Sequence, residues 1–430
     1  MEIDTLYYYG QDGEAVPRDI ETMFQLGTQE MEYSDKLKAN VFRIVGFIFR
    51  ERKMLAVFPK HYYELHEIES LNQTNAEAAA DMRLLFHVIK KYSETERTTA
   101  SARAYMGADD SDTYDADYPF AAFYKIYDYF RRYGLYREKE NKVVSGGSGK
   151  ISWKASISKS QKIISGGNLL FVPLYVNKKN DRQVFITECM AFVIDYTLDY
   201  FHSFLSMKKT GLNIARFDYF RNIDYVLAKL HEAKNAVFKD IHKKLVQSLI
   251  DFFSQYKERA TGGSVHVKIR HYDMVWQRMT ARYLNRHFVG MNPVSHAALF
   301  DLSLESSPVR FSAKTYKADT SHNRFAISLD HTAFVNHVLY VFDSKYYKAL
   351  DKLNYKQFAY GEILRYYYPD MTEMHNILFL PGRERAEVHF SLAPDYVGER
   401  SMGTKIIEQY LEPKTVMKDY LTGQAAWTYA

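Results

Sequence analysis

The sequence predicts an α+β multidomain protein. The chain has 430 residues, more than one ordinary core encloses. Hydrophobic residues at 47% against charged residues at 25% are globular values. The apolar periodicity also switches along the chain, from two to about 3.6 and back. The expected division is a mixed β and winged-helix-like region over residues 1–180, a helical middle section over 181–262, and an α/β domain over 263–430.

Near the start, "NVFRIVGFIF" and "MLAVFPKHYY" are β-rich runs joined by the charged tip "RERK", which predicts a hairpin over Val41 to Tyr63. Thr74 and Glu77 have the spacing of a capping box, and "AAADMRLLFHVIKKY" carries apolar residues at helical spacing, so a helix is expected over 76–92. The acidic stretch "GADDSDTYDADYP" reads as a loop, with Pro119 suited to the first turn of the aromatic helix "FAAFYKIYDYFRRYGLY", which ends near Gly134. In "KVVSGGSGKISWKASISKSQ" two short β-like runs flank a glycine turn, completing the order helix, helix, wing. That order serves DNA contact and protein contact alike.

From Gln183 to Glu258 the pattern is almost purely helical, and Gly262-Gly263 marks a turn or linker after it. Beyond lie the helix "YDMVWQRMTARYLNRHF", the strands "PVRFSAKTY", "RFAISLDHTAFV" and "HVLYVFDSKYY", the helix "NYKQFAYGEILRYYY" and the strand "HNILFLP". The last region thus reads α-β-β-β-α-β.

A formal charge of +5 is only mildly basic and permits contact with a polyanion without requiring it. The single cysteine, Cys189, excludes an internal disulfide and a cysteine zinc site, in keeping with a reducing, cytoplasmic setting. The N-terminus lacks a basic n-region with an apolar h-region, and no apolar run reaches the roughly 18 residues that span a bilayer. Neither secretion nor membrane insertion is expected.

The chemistry concentrates in "YVFDSKYY". Side chains alternate along a strand, so Asp343 and Lys345 share a face, and Asp330 on the preceding strand can converge with them at one edge. Phosphodiester hydrolysis uses such a set. Asp330 and Asp343 would hold a hard divalent cation, Mg2+ or Mn2+, and Lys345 would orient the attacking water and offset charge in the transition state. A D-x-K triplet alone arises about once by chance in a chain of this composition. E-x-K triplets such as Glu51-Lys53, Glu140-Lys142 and Glu232-Lys234 lack an acid on a neighbouring strand with a following helix, and context favours the D-x-K strand over them.

Other motifs fall away. "VSGGSGK" has Val144 and Ile151 where a phosphate loop needs Gly and Ser or Thr, so any nucleotide hydrolysis belongs to another protein. His266, His271, His287 and His296 lack the i, i+4 pairing of a zinc hydrolase. Most of the 36 tyrosines and 28 phenylalanines recur at helical or strand spacing and read as core. Lys150, Trp153, Lys154, Lys159 and Lys162 form a basic, aromatic stretch able to contact DNA phosphates.

In these residues the last region resembles the PD-(D/E)XK nuclease core. The chain as a whole resembles the LlaJI family of restriction endonucleases, relatives of the McrC-type nuclease subunit. The likeness is carried by "SLDHTAF", "YVFDSKYY", "KQFAYGEIL", "GKISWKASI" and "GFIFRERKMLAVFPKHYY". It implies a metal-dependent endonuclease acting on double-stranded DNA with a McrB-like AAA+ GTPase ring as partner, engaged by the tip residues Arg50, Arg52 and Lys53. It also implies that Gln357 and Tyr360 orient the site, although their spacing is one residue shorter than the usual Q-x-x-x-Y. Leu329 stands where a proline usually precedes the first acid, and Gln277 stands where such families tend to place a glutamate. An amide ligates without charge, so Gln277, expected to point at Asp343, weakens metal binding or marks a catalytically silent adaptor.

Overall fold

The computed structural model describes residues 5–103, 114–116, 118–146, 148–182, 184–212, 217–259, 264–317, 326–352, 355–393 and 405–423. The chain begins with β1 (Leu6–Gln11), α1 (Arg18–Phe24), β2 (Met31–Ser34), β3 (Ala39–Phe42), β4 (Val45–Arg50), β5 (Lys53–Phe58), α2 (Leu65–Thr74), α3 (Ala79–Arg103) and β6 (Tyr114–Ala116). There follow α4 (Phe120–Tyr133), β7 (Glu138–Ser145), β8 (Lys150–Ile151), α5 (Trp153–Lys159), β9 (Gln161–Ser165), β10 (Asn168–Val172), β11 (Tyr175–Arg182), α6 (Phe185–Tyr200), α7 (Ile223–Ala236) and α8 (Asp240–Arg259). The remainder is β12 (Ser264–Ile269), α9 (Tyr272–His287), β13 (Phe288–Met291), β14 (Ala298–Phe300), β15 (Ser312–Lys317), β16 (Ala326–Val335), β17 (Val338–Ser344), α10 (Tyr355–Tyr367), β18 (Glu373–Pro381), β19 (Arg385–Ser391), β20 (Lys405–Leu411) and α11 (Pro413–Leu421).

Two compact units form, one from residues 1–116 with 263–428 and the other from residues 117–262. In the first unit a five-stranded sheet runs β1-β5-β4-β12-β6. Its β4–β5 hairpin turns at Glu51-Arg52, with Arg50 opposite Lys53. The hairpin is shorter than the expected span of Val41 to Tyr63, because Ala39–Phe42 pairs with β2 instead. From far along the chain, β12 returns to lie antiparallel to β4, pairing Val265 with Phe49. Its buried Lys268 meets Glu30 at 2.7 Å. Ile44, Ile48, Leu55 and Val57 fill the core beneath α1.

Two local expectations are corrected here. Thr74 closes α2 rather than capping the next helix. Asn75 takes a left-handed conformation, and its side-chain oxygen accepts the Tyr7 N–H of β1 at 2.7 Å, so a tertiary bond ends the helix at that point. Tyr114–Ala116, read as loop, is an edge strand on β12. The rest of that acidic stretch up to Thr113, Asp117 and the Gly262-Gly263 turn lie outside the described residues.

The second sheet of this unit runs β15-β16-β17-β18-β20-β19, with β17, β18 and β20 parallel and the outer strands antiparallel. Its central strands are buried on both faces and therefore read as continuous apolar runs. On one face Leu339 and Val341 pack with Leu364 of α10. On the other, Trp276 of α9 lies buried and donates its indole N–H to the Phe379 carbonyl at 3.2 Å.

The second unit packs α4, α6, α7 and α8 around an aromatic core that includes Phe123, Phe201, Phe252 and Phe253, with Cys189 buried on α6. β7 and β8 each pair with β11 and not with one another. At the glycine turn between them a Cβ on Gly149 would meet the Asn177 carbonyl at 2.9 Å, which requires glycine there. Trp153 and Lys154, expected in the wing, and Lys159, expected beyond it, lie on the short helix α5. Among the described residues no helix is long and apolar enough to cross a membrane.

Candidate active site

The antiparallel register of β16 and β17 pairs His331 with Phe342 and so brings Asp330 level with Asp343. On its other side β16 carries a bulge. Between Ser312 opposite Thr332 and Lys314 opposite Leu329, the two residues Asp330 and His331 face Ala313 alone. A bulge re-aims side chains at the point where pairing slips, and here that point is the first acid.

Hydrogen bonds fix the cluster. The Ser344 N–H donates to Asp330 Oδ2 at 3.0 Å, and the Gln277 amide donates to Oδ1. Asp343 is buried at 4% exposure and ion-paired with the Lys345 ammonium. The Lys345 N–H in turn bonds the Phe379 carbonyl at 2.8 Å, the same carbonyl that anchors Trp276. That shared acceptor holds α9 and the end of β17 in one frame. His331 is buried and joins Ser344 Oγ through Nε2 at 2.7 Å.

Electrostatics follow from burial. Burial first, then the neighbouring Asp343 charge, push the Asp330 carboxyl up to about 7, against the opposing pull of the Ser344 N–H and Lys345. Burial works to lower the Lys345 amine, yet Asp343 and then Asp330 carry it above its ordinary value. Burial lowers the His331 imidazole to about 4, so it is neutral at physiological pH.

The donor set fits a hard cation. Two facing carboxylates crowd one another in a buried site, and a divalent ion between them would remove that repulsion. No group of three or more Asp, Glu, His or Cys residues able to hold a metal occurs among the described residues, so a cation here would keep several waters.

The structure brings Asp330, Asp343, Lys345 and Gln277 together. Gln277 bonds Asp330, not Asp343 as expected, while the Lys345 ammonium pairs with Asp343. Tyr360 lies close enough for Asp343 to raise its hydroxyl, after burial as the larger cause. Gln357 is wholly buried and donates to the Val341 carbonyl at 3.2 Å and to Asn376 Oδ1 at 2.6 Å, tying α10 to β17 and β18.

Lys150, Trp153, Lys154, Lys159 and Lys162 lie exposed in the second unit on β8, α5 and β9. Arg50, Arg52 and Lys53 sit at the tip of the β4–β5 hairpin. Sequence reasoning missed Ser344, His331 and Trp276 as fixtures of the site. The polar residues flanking the acids in "LDHT" and "FDSK" were the available signal.

Fold and cluster define a mixed α+β protein with two carboxylates and an ammonium gathered at one end of a six-stranded sheet. The sequence profile of the LlaJI restriction endonuclease family matches residues 44–391, and the chain belongs to that family. No curated protein matches the chain. Among solved structures, similarity is found to a chain of the half-complex from a tetradecameric assembly of Thermococcus gammatolerans McrB AAA+ hexamers with bound McrC. Identity is 12% over 97% of this chain and 98% of that chain, at a TM-score of 0.33. No structural correspondence follows at that score.

Proposed function

We propose that the chain is the metal-dependent DNA endonuclease subunit of a cytoplasmic restriction system acting in anti-phage defence, with β15–β20, α9 and α10 as a PD-(D/E)XK core. The observation that carries this reading is the meeting of Asp330 and Asp343 across adjacent strands with the Lys345 ammonium on Asp343. Membership of a restriction endonuclease family supports it.

Asp330 and Asp343 would supply oxygen ligands to Mg2+ or Mn2+. Such an ion, when bound, polarises a phosphate oxygen and lowers the pKa of a water. The chain's own groups do the rest. Gln277 and the Ser344 N–H hold the Asp330 carboxylate in orientation. Lys345 directs the attacking water and offsets negative charge as the phosphorane forms, an interaction stronger in the transition state than in the ground state. Lys150, Trp153, Lys154, Lys159 and Lys162 would contact phosphates of double-stranded DNA.

A McrB-like GTPase ring is proposed as partner, on the sequence likeness to the McrC-type subunit. Arg50, Arg52 and Lys53 would engage it. Replacing all three with alanine should abolish co-purification, and undiminished co-purification would reject that contact. A second reading, a catalytically silent adaptor, is favoured by one observation: Gln277 places a neutral amide on Asp330 where an acid would add charge. Plasmid cleavage in Mg2+, with and without the ring partner and with Asp343→Ala as control, separates the two. Cleavage abolished by that substitution supports the enzyme, and no cleavage by the wild type supports the adaptor.

A further inference from the structure

The residue after Lys345 points the other way, into the N-terminal part of the same unit. Tyr346 is buried, and both capacities of its hydroxyl are used: it accepts the Lys60 backbone N–H at 2.9 Å and donates to the Asp12 carboxylate. Asp12 is itself buried and receives the Lys60 ammonium at 2.8 Å, while that ammonium lies 4.2 Å from the centre of the Tyr346 ring. The ring also packs on Tyr272, the first residue of α9, with centroids 5.4 Å apart.

Two residues further on the chain is held again. The Lys348 ammonium pairs with Glu14 at 2.6 Å, and its carbonyl accepts from His61 Nε2 at 2.9 Å. The segment that carries Lys345 is therefore held by Phe379 on one side and by residues 12, 14, 60 and 61 on the other.

We propose that Asp12, Lys60 and Tyr346 are positioning residues for the Lys345 ammonium, so that the N-terminal segment is part of the nuclease centre. The inference rests on the nuclease reading above for its effect on rate, and on geometry alone for its effect on Lys345. The Tyr346 hydroxyl is bonded to the Lys60 N–H and to Asp12. It fixes the backbone from which Lys345 reaches Asp343, and small misplacements of a reacting group are costly because the bound geometry must be close to that of the reaction.

The test uses the full chain with Tyr346→Phe, which removes one hydroxyl, and Asp12→Asn, which keeps the side chain's shape. Thermal melting first establishes that each variant is folded. Plasmid cleavage in Mg2+, with the ring partner present, then gives kcat and KM separately, and acetylation of lysines read by mass spectrometry reports on the Lys345 amine directly. The expected result is a fall in kcat of about ten- to a hundredfold with KM for DNA unchanged. Lys345 should be acetylated severalfold faster in both variants, while the exposed Lys352 is acetylated at the wild-type rate. Unchanged Lys345 acetylation in folded variants overturns the inference whatever the rate does. A wild-type chain that never cleaves overturns the nuclease reading, and the acetylation result then still decides whether Tyr346 positions the amine.

Discussion

Replacing Gln277 with glutamate tests the balance of charge at the site. In the wild type the Gln277 amide donates to Asp330 Oδ1, and Asp330 is already pushed up to about 7 by burial and by Asp343. Gln277→Glu removes a hydrogen bond to a charged group, which contributes about 1.5–3 kcal/mol, and puts a third carboxyl beside two that already repel. Without divalent ions the variant should melt a few degrees lower. With Mg2+ the sign reverses, because the new carboxylate is a charged oxygen ligand. The same 1.5–3 kcal/mol gained in the bound state is about a ten- to hundredfold tighter dissociation constant. Thermal melts over a magnesium series read this directly, since stabilisation grows as RT ln(1 + [L]/Kd). A variant whose melting temperature responds to Mg2+ as the wild type does, with unchanged cleavage, refutes the placement of Gln277 at the metal.

Three further outcomes are expected. In metal-free buffer Asp330, raised to about 7, costs stability as pH rises from about 4 to 7, whereas His331, lowered to about 4, costs stability as pH falls from about 6.5 to 4. Relative to the wild type, urea midpoints should therefore rise more steeply with pH in Asp330→Asn and less steeply in His331→Gln, and the same change of slope in both variants contradicts the assignment. Gln357→Ala should lose about 2–4 kcal/mol of stability by urea unfolding, since this buried side chain bonds the Val341 carbonyl and Asn376. Alanine at Lys150, Lys154, Lys159 and Lys162 should weaken DNA binding uniformly across sequences and lower the salt slope by about 0.9 for each phosphate no longer neutralised, as measured by fluorescence anisotropy.

What was legible in the sequence was local. Period-two alternation put Asp343 and Lys345 on one face, and the glycine at 134 and the apolar repeats of α6 and α8 marked helices that the structure contains. Long-range pairing was not legible. Nothing near Ser264–Ile269 announces that β12 returns to β4, because its partner residues lie more than two hundred positions away. The bulge at Asp330 and His331 has no residue signature, since neither is a glycine and the slip is set by β15 on the neighbouring edge. Thr74 and Glu77 had the right spacing for a cap, but the bond from Tyr7 to Asn75 outweighed it. Tyr346 read as one of two tyrosines ending a strand, and only the fold brings Asp12 and Lys60 to its hydroxyl.

The central claim is that one divalent ion is shared by carboxylates from adjacent strands. The measurement closest to it is anomalous diffraction from crystals of the protein grown with MnCl2. A manganese peak within about 2.0–2.3 Å of oxygens from both Asp330 and Asp343, absent in Asp343→Ala crystals, is the expected result. Manganese bound elsewhere, or bound to Asp330 alone and indifferent to the loss of Asp343, would contradict it.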